Sequence, residues 1–369
     1  MQAEPESQPA SGNWRHLVAA GLYQSGLLRA LQSVSRRYEL VSDNGGGEQL
    51  RRVRNPKYVV LGYHNVGVDG FPLYCRMPTQ VFAQQMRHIK RNYRVLSLWQ
   101  MVEELQNPVA QGQSVVVTFD DGYLGTYTDA FPVLKEYGIP ATVYLTGGLV
   151  ESGEIAWYDR IFLRFQRAPS ELTVTLDTPK QFRLTDFASR VDAATSVVLY
   201  LRTLADGERR RWCESLDKAM PLPAEDLRGS MMNWDQAREM RLAGISFGCH
   251  TMTHPVLSRL TPDVVRWEIA ESKWLIESRL NARVDDFAFP FGKPRDCGTL
   301  GADVLSALGL QTAMTTILGV NEPGADRFRL RRMVQGDELS VAMFAYRLHR
   351  LFFHPVDEEL TAVTGSIGT

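Results

Sequence analysis

The sequence predicts an α/β fold in which a mostly parallel sheet or barrel is surrounded by helices. From about residue 55 onward, short apolar runs alternate with segments of helical periodicity. This alternation is typical of parallel strands joined by helices. The strand-like runs are KYVVLGY (57–63), SVVVTF (114–119), IPATVYL (139–145), ISFG (245–248), FAFP (287–290) and LQTAMTT (310–316).

Helix start signals stand between these runs and support the same fold class. A polar N-cap residue, or proline at the first helical position, marks where a helix begins. The predicted helices begin at Thr79, after Ser97, after Asn233 and after Thr261.

Residues 151–230 interrupt the alternation of strands and helices, and we interpret them as an inserted segment.

The N-terminal region is predicted to lie outside the main domain. Residues 1–13 are expected to be disordered, residues 14–40 to form one basic amphipathic helix, and residues 42–49 to form a glycine-rich hinge. Such a helix could contact the membrane surface peripherally, or pack on the main domain or on a second subunit. The predicted division is therefore 1–50 for this region, 51–355 for the catalytic domain and 356–369 for a tail.

Composition excludes several classes of protein. A net charge of −1 and a pI near 6.7 give no global reason to expect nucleic-acid binding. Four widely spaced cysteines without a CxxC pair argue against a disulfide framework. The sequence shows neither a secretory signal nor a membrane-spanning run, so we expect a cytoplasmic protein, at most peripheral at the inner face of the membrane. The oligomeric state stays open.

Two acids follow the valine-rich run that is predicted to be a strand. Asp120 and Asp121 stand directly before Gly122. Sites form at the carboxyl ends of parallel strands, and consecutive residues of an extended chain point in opposite directions. The two carboxylates could therefore have different roles. A strand-ending turn would also explain an Asp-Gly pair.

Two histidines, His250 and His254, stand four residues apart after another short strand. In a helical turn this spacing lets both rings converge on one point, although each could also be structural. One carboxylate and two imidazoles leave the fourth position of a tetrahedral ion open, as in catalytic zinc sites. The other carboxylate could act as a general base.

The segments TFDDG, HTMTH and FAFPFG together resemble the polysaccharide deacetylase family, carbohydrate esterase family 4, over about residues 57–335. The resemblance implies a distorted (β/α) barrel that removes acetyl groups from N-acetylated sugars with zinc or a similar divalent ion. It implies Asp120 as the catalytic base. It also implies that the backbone N–H of Phe291 helps to hold the oxyanion, and that the metal ligands are Asp121, His250 and His254.

The sequence departs from the family pattern at the residue that orients the base. Ala288 stands where the family has an arginine. Arg331 and Arg332, in the run FRLRRMV, are candidates to orient Asp120 instead. A solvated basic strand would explain this run equally well.

A second departure concerns the general acid. The family's late Leu-x-His motif fits Leu348-His349 only loosely. His64 follows the first predicted strand, and a closed barrel would bring the first and last strands together. Its Tyr-His pair resembles a subgroup that acts on exopolysaccharide amino sugars, so we favour His64 over His349. A structural role for His64 is the alternative.

The predicted function is removal of an N-acetyl group from an amino sugar of a polysaccharide or a lipid-linked glycan precursor. The expected partner is an N-acylated glycan, and Zn²⁺ is the default ion. Two alternatives stay open: a deformylase or other deacylase of a lipid-linked amino sugar, and a catalytically silent glycan-binding relative. The sequence does not distinguish the acyl groups, because the metal centre would be the same.

Overall fold

The protein is described by a computed structural model that covers residues 13–25, 27, 38–42, 48–52, 56–67, 76–108, 112–175, 179–298, 300–336 and 340–353. The strands are β1 (Tyr38–Ser42), β2 (Glu48–Arg52), β3 (Lys57–Tyr63), β4 (Asn65–Val66), β5 (Arg76–Met77), β6 (Arg94–Val95), β7 (Gln113–Phe119), β8 (Ala141–Leu145), β9 (Glu171–Thr175), β10 (Pro179–Arg183), β11 (Ser246–Cys249), β12 (Asp286–Ala288), β13 (Thr312–Met314) and β14 (Arg332–Val334).

The helices surround these strands and connect most of them. They are α1 (Asn13–Gln24), α2 (Thr79–Asn92), α3 (Leu98–Gln106), α4 (Phe131–Tyr137), α5 (Gly147–Ser152), α6 (Trp157–Arg167), α7 (Phe187–Leu201), α8 (Asp206–Ala219), α9 (Trp234–Leu242), α10 (Pro262–Leu280), α11 (Pro294–Cys297), α12 (Ala302–Ala307) and α13 (Val341–Phe353). Ser97 and Asn233 cap α3 and α9 through capping boxes, and Pro262 opens α10, as their sequences predict.

One sheet dominates the structure, with strand order β13-β12-β11-β8-β7-β3-β14 and β6 beside the start of β7. The pairings along this order are parallel. A parallel bridge between Met314 and Leu330 joins the two edges, and the Arg332 N–H donates to the Ile317 carbonyl at 2.9 Å. The sheet is therefore nearly closed into a barrel surrounded by helices, which confirms the predicted fold class.

The strands are buried on both faces, so alternate residues enter two different apolar clusters. Val59 and Leu61 of β3 pack in the cluster formed with the surrounding helices. Tyr58 and Val60 pack in a cluster that residues of the other strands share with α3. This double burial explains why the strands read as continuous apolar runs instead of alternating ones.

The N-terminal region differs from the prediction. The predicted helix over residues 14–40 is wrong at its end, because α1 ends at Gln24 and β1 begins at Tyr38. The predicted hinge over residues 42–49 is wrong at both of its ends, because β1 and β2 pair as antiparallel strands. Two short runs separated by glycines are typical of a hairpin, whose connection needs residues that tolerate positive φ. The predicted disorder of residues 1–13 is wrong at Asn13, which begins α1, and its remainder lies outside the described residues, as does the predicted tail 356–369.

Helix α1 packs against α13, on the main domain. Ala19 is buried there, and the rings of Tyr23 and His88 lie 5.9 Å apart. Within the described ranges, no helix has both the length and the apolar character required to cross a bilayer. Cys213, Cys249 and Cys297 carry free thiols, and Cys75 lies outside the described residues.

The segment interpreted as an insertion builds its own small unit. It contains α6, the antiparallel pair β9–β10, α7 and α8. Their apolar side chains form a separate cluster around Phe165, Val197 and Leu201. The ends of this unit come together beside the barrel, since the Ile155 N–H donates to the Leu227 carbonyl at 3.1 Å. The boundaries 151 and 230 stay a prediction.

Candidate active site

The predicted functional residues meet at one rim of the barrel, where the parallel strands end. Two backbone hydrogen bonds hold the neighbouring loops together: Asp120 N–H to the Tyr63 carbonyl, and His250 N–H to the Leu145 carbonyl, both at 2.9 Å. The residues come from different strands: His64 follows β3, Asp120 and Asp121 follow β7, His250 and His254 follow β11, and Phe291 follows β12.

Asp121, His250 and His254 form a buried cluster whose ligand atoms all lie within 4.8 Å of one another. Asp121 Oδ1 lies 3.5 Å from His250 Nε2 and 3.3 Å from His254 Nε2. Ligand atoms bound at about 2.0–2.1 Å around a tetrahedral ion are separated by about 3.4 Å. Asp121 Oδ1 is also buried without a hydrogen-bond partner. The donor set and its spacing therefore fit a divalent ion.

The protonation states of the histidines suit metal binding. Burial lowers the pKa of His250 to about 4 and lowers the pKa of His254 well below its usual range. The His250 Nδ1–H donates to the carbonyl of Ala288 at 2.7 Å. The lone pair of Nε2 is therefore available to bind a metal ion. Neutral imidazole with one nitrogen held by a carbonyl is the usual form of a ligating histidine.

The two carboxylates have opposite electrostatic environments. Burial raises the pKa of Asp121 well above its usual range, and the nearby charges of Asp120 and Asp159 raise it further. Burial alone would raise the pKa of Asp120, but the Arg332 guanidinium, together with the nearby His250 and His64, lowers that pKa below its usual range. Asp120 is therefore ionised at neutral pH, whereas a cation beside Asp121 would favour its ionised form.

Arg332, the first residue of β14, holds Asp120 in a fork of two hydrogen bonds. Nη1 donates to Oδ1 at 2.7 Å and Nη2 donates to Oδ2 at 2.8 Å. A third donor, Nε, binds the Thr315 carbonyl at 2.9 Å, and the side chain is fully buried. The neighbouring candidate, Arg331, is exposed instead. The guanidinium thus reaches Asp120 from β14 and not from the position of Ala288.

His64 lies at the same rim, half-buried beside Asp120. Burial lowers its pKa, and the charge of Asp120 acts in the opposite direction. Its Nδ1 atom is buried and has no hydrogen-bond partner among the described residues. His349 lies elsewhere: it belongs to α13, which packs on α1 and α2, and its ring stacks on Phe353 at 5.6 Å.

Phe291 has a left-handed backbone, with φ of 60°. Its ring lies 4.8 Å from the ring of His254 and 6.1 Å from the ring of Tyr158. On its other side the Arg202 guanidinium stacks on the ring at 4.0 Å. Phe291 therefore packs between a predicted metal ligand and the inserted segment.

The backbone of the site is unusual. Among the described non-glycine residues with positive φ, all except the helix C-cap Asn281 belong to this site: Asp121, Thr251, His254 and Phe291. Such conformations cost about 1–3 kcal/mol each and persist where the surroundings enforce them, which is most often at functional sites.

Comparison with known proteins agrees with this geometry. Residues 108–313, more than half of the chain, match the family model described as polysaccharide deacetylase. The chain belongs to the polysaccharide deacetylase family. It is therefore a hydrolase that acts on a carbon–nitrogen amide bond. Asp120, Asp121, His250 and Phe291 lie inside the matched residues.

Similar known proteins share only low sequence identity with this chain. YxkH of Bacillus subtilis strain 168, which is named as a polysaccharide deacetylase, is 24% identical over 278 residues, or 75% of this chain and 68% of the relative. The Streptococcus pyogenes deacetylase PplD, solved with acetate, superimposes with a TM-score of 0.53 and 20% identity, over 80% of this chain and 98% of PplD. IcaB from Ammonifex degensii superimposes with a TM-score of 0.50 and 20% identity, over 79% of this chain and 97% of IcaB.

One residue of this deacetylase that the sequence motifs missed is Glu268 on α10. It is fully buried and accepts hydrogen bonds from the backbone N–H groups of Met252 and Thr253, both at 2.9 Å, and from the Thr253 hydroxyl at 2.5 Å. Glu268 thus holds the loop between the two histidines. In the sequence, the signal that could have identified Glu268 is a glutamate on the apolar face of a predicted helix.

Two consecutive glycines also form hydrogen bonds with the loop between His250 and His254. The N–H groups of Gly147 and Gly148 donate to the carbonyls of Thr251 and Met252, each at 3.0 Å. A Cβ at Gly148 would lie 2.5 Å from the Met252 carbonyl oxygen, so only glycine allows this approach. The loop that carries His250 and His254 is therefore held by α5 and α10 together.

Proposed function

We propose that this deacetylase uses a divalent metal ion, with Zn²⁺ as the default, to remove the N-acetyl group from an amino sugar of a polysaccharide or glycan precursor. The proposed ligands are Asp121, His250 and His254. A bound ion would polarise the acyl oxygen and lower the pKa of a water molecule toward about 7. The observation that carries the proposal is that the buried Asp121 Oδ1 has no hydrogen-bond partner and lies close to the Nε2 atoms of two neutral imidazoles.

Asp120 is the proposed general base. Arg332 holds its carboxylate ionised and fixed in orientation, so Asp120 can accept a proton from the attacking water molecule. The two consecutive carboxylates point to different partners, which matches their separate roles. The base and the ion-binding group are therefore adjacent but not interchangeable.

His64 is the proposed general acid, and the Phe291 N–H is the proposed donor to the oxygen that gains negative charge. Removal of one such donor typically reduces the rate by about 10²–10³-fold. His64 lies at the same rim as Asp120, and its Nδ1 lacks a protein partner among the described residues. Its ring could therefore take up a proton, which the charge of Asp120 favours, and pass it to the departing sugar amine.

The arrangement around Asp120 supports an active enzyme over a silent glycan-binding protein. Ala288 cannot supply the guanidinium that the family has at this position. Arg332 supplies one instead and binds both oxygens of Asp120. The geometry does not separate acetyl from formyl, because both would present the same amide oxygen to the ion.

Release of acetate tests the proposal. The purified chain, loaded with Zn²⁺, should release acetate from oligosaccharides of β-linked N-acetylglucosamine, with formate release from N-formylated oligosaccharides measured in parallel. Asp120→Asn should retain Zn²⁺ and lose activity by about 10²–10⁴-fold per folded molecule, because an amide cannot accept the proton from water. Glu239→Gln, which changes an exposed carboxylate that accepts from Tyr127, is the matched control. Equal activity of Asp120→Asn and wild type would contradict the proposed mechanism.

A further inference from the structure

The two proposed histidine ligands are supported in different ways. His250 has the Ala288 carbonyl on its Nδ1 atom at 2.7 Å. His254 Nδ1 is buried and has no hydrogen-bond partner in any other residue of the part of the chain that the structure describes. Ligating histidines almost always donate their second N–H group to a carbonyl, carboxylate or water, which fixes the ring. The orientation of His254 must therefore depend on something else.

Aromatic rings enclose the side chain of His254. The ring of Tyr158 packs edge-on at 5.0 Å, and the rings of Phe291 and His250 lie at 4.8 and 4.9 Å. Tyr158 is almost fully buried, so its ring is itself fixed by packing. A ring held on three sides keeps its rotamer without a hydrogen bond to Nδ1.

The backbone of His254 is held by the same helix. The indole Nε1–H of Trp157, the first residue of α6, donates to the His254 carbonyl at 3.1 Å. His254 has a φ of 53°, a conformation that a non-glycine residue keeps only when neighbours enforce it. Trp157 and Tyr158 together thus contact both the main chain and the side chain of this one residue.

The first turn of α6 is anchored to the loop that carries Asp121. Asp159 is fully buried and accepts a hydrogen bond from the Tyr123 hydroxyl at 2.7 Å. Tyr123 stands two residues after Asp121, and its hydroxyl also lies 3.4 Å from the hydroxyl of Tyr158. The inserted segment is therefore fastened to the strand end that supplies one ligand while it supports another.

We propose that Trp157 and Tyr158 are positioning residues for His254, so that the inserted segment completes the support of the metal site. This inference rests on the proposed metal-dependent function. Toward His254, Tyr158 acts through its ring, which fixes the imidazole, while its hydroxyl hydrogen-bonds Asp121. Trp157 acts through its indole N–H, which fixes the strained backbone. The inserted segment is then a required part of the centre and not an appendage beside it.

Zn²⁺ affinity of the full chain tests the inference. After removal of metal with a chelator, Zn²⁺ is titrated in competition with a chromophoric chelator, and the melting temperature of the metal-free protein is recorded for each variant. Tyr158→Leu should weaken Zn²⁺ binding by about 10–100-fold, as losses of ligand support typically do. Tyr158→Phe keeps the ring but removes the hydroxyl that hydrogen-bonds Asp121, so it should weaken binding less than Tyr158→Leu does. Trp157→Phe removes one hydrogen bond and should weaken binding by roughly 2–10-fold.

Tyr58→Phe is the matched control, because it removes a buried hydrogen bond from a tyrosine to a carboxylate, Glu104 at 2.9 Å, away from the site. It should leave Zn²⁺ affinity unchanged. Wild-type affinity in both Tyr158→Leu and Trp157→Phe would overturn the inference while leaving the proposed function intact. Absence of Zn²⁺ binding by the wild type would overturn the proposed function instead. If Tyr158→Leu does not fold, Trp157→Phe at an unchanged melting temperature decides the question.

Discussion

Breaking the pair between Arg332 and Asp120 should destabilise the protein strongly at neutral pH. Both side chains are buried, and two charge-assisted hydrogen bonds of 2.7 and 2.8 Å join them. Arg332→Met leaves the Asp120 carboxylate buried without a counter-charge. Removing one partner of a buried ion pair typically costs about 3–5 kcal/mol of unfolding free energy.

The pH dependence of this loss has a definite sign. In the wild type the pKa of Asp120 is depressed, so its stabilising contribution is present above the unfolded pKa and is lost only as the pH falls below that value. In Arg332→Met, burial without the guanidinium should raise the pKa of Asp120. Lowering the pH then neutralises the unpaired carboxylate, so the difference from wild type should be smaller at pH 5 than at pH 8.

Urea denaturation of the metal-free protein measures this effect, with Asp120→Asn and the double variant completing a thermodynamic cycle. Each single variant leaves one buried group without its partner, whereas the double variant removes both charges. The double variant should therefore lose less free energy than the sum of the single losses. Additive losses, or a difference from wild type that does not change with pH, would refute the reasoning.

Three further predictions concern other residues. Glu268→Leu should lower the unfolding free energy by roughly 1–3 kcal/mol, because the N–H groups of Met252 and Thr253 lose their buried acceptor; unchanged urea midpoints would contradict it. Burial raises the pKa of Asp286 from 3.8 to about 6, so ionisation costs roughly 3 kcal/mol above that pH. Asp286→Asn, which can still accept from Thr312, should match wild-type stability near pH 4 and exceed it at pH 8, and a constant offset would argue against this. His64→Gln should reduce kcat by about 10²–10⁴-fold without loss of bound Zn²⁺, and an unchanged kcat would exclude His64 as the acid.

The sequence predicts most of the barrel because its strands are buried on both faces. Runs such as Lys57–Tyr63 stand out as continuous apolar segments, and their helices carry clear caps. The N-terminal hairpin is not predicted because Tyr38 of β1 fits the helical period of the residues before it, and the glycine-rich run before β2 resembles a hinge. Tyr38 could continue either pattern, and only the pairing of β1 with β2 decides between them.

The motif residues were predicted because each motif is local. Asp120 with Asp121, and His250 with His254, each stand within five residues of chain. Arg332 is 212 residues from Asp120, and two adjacent arginines were equally good candidates until the barrel placed β14 beside β3. The support of His254 by Tyr158 could not be predicted either, because it depends on how an inserted helix docks on the rim.

Metal stoichiometry tests the central claim most directly. Elemental analysis of the full chain, after dialysis against excess Zn²⁺ and then against buffer, should give one ion per chain. Asp121→Ala, His250→Ala and His254→Ala should each lose the ion, whereas Asp120→Asn should retain it. Zn²⁺ binding that persists undiminished without these three side chains, or no binding by the wild type, would contradict the account.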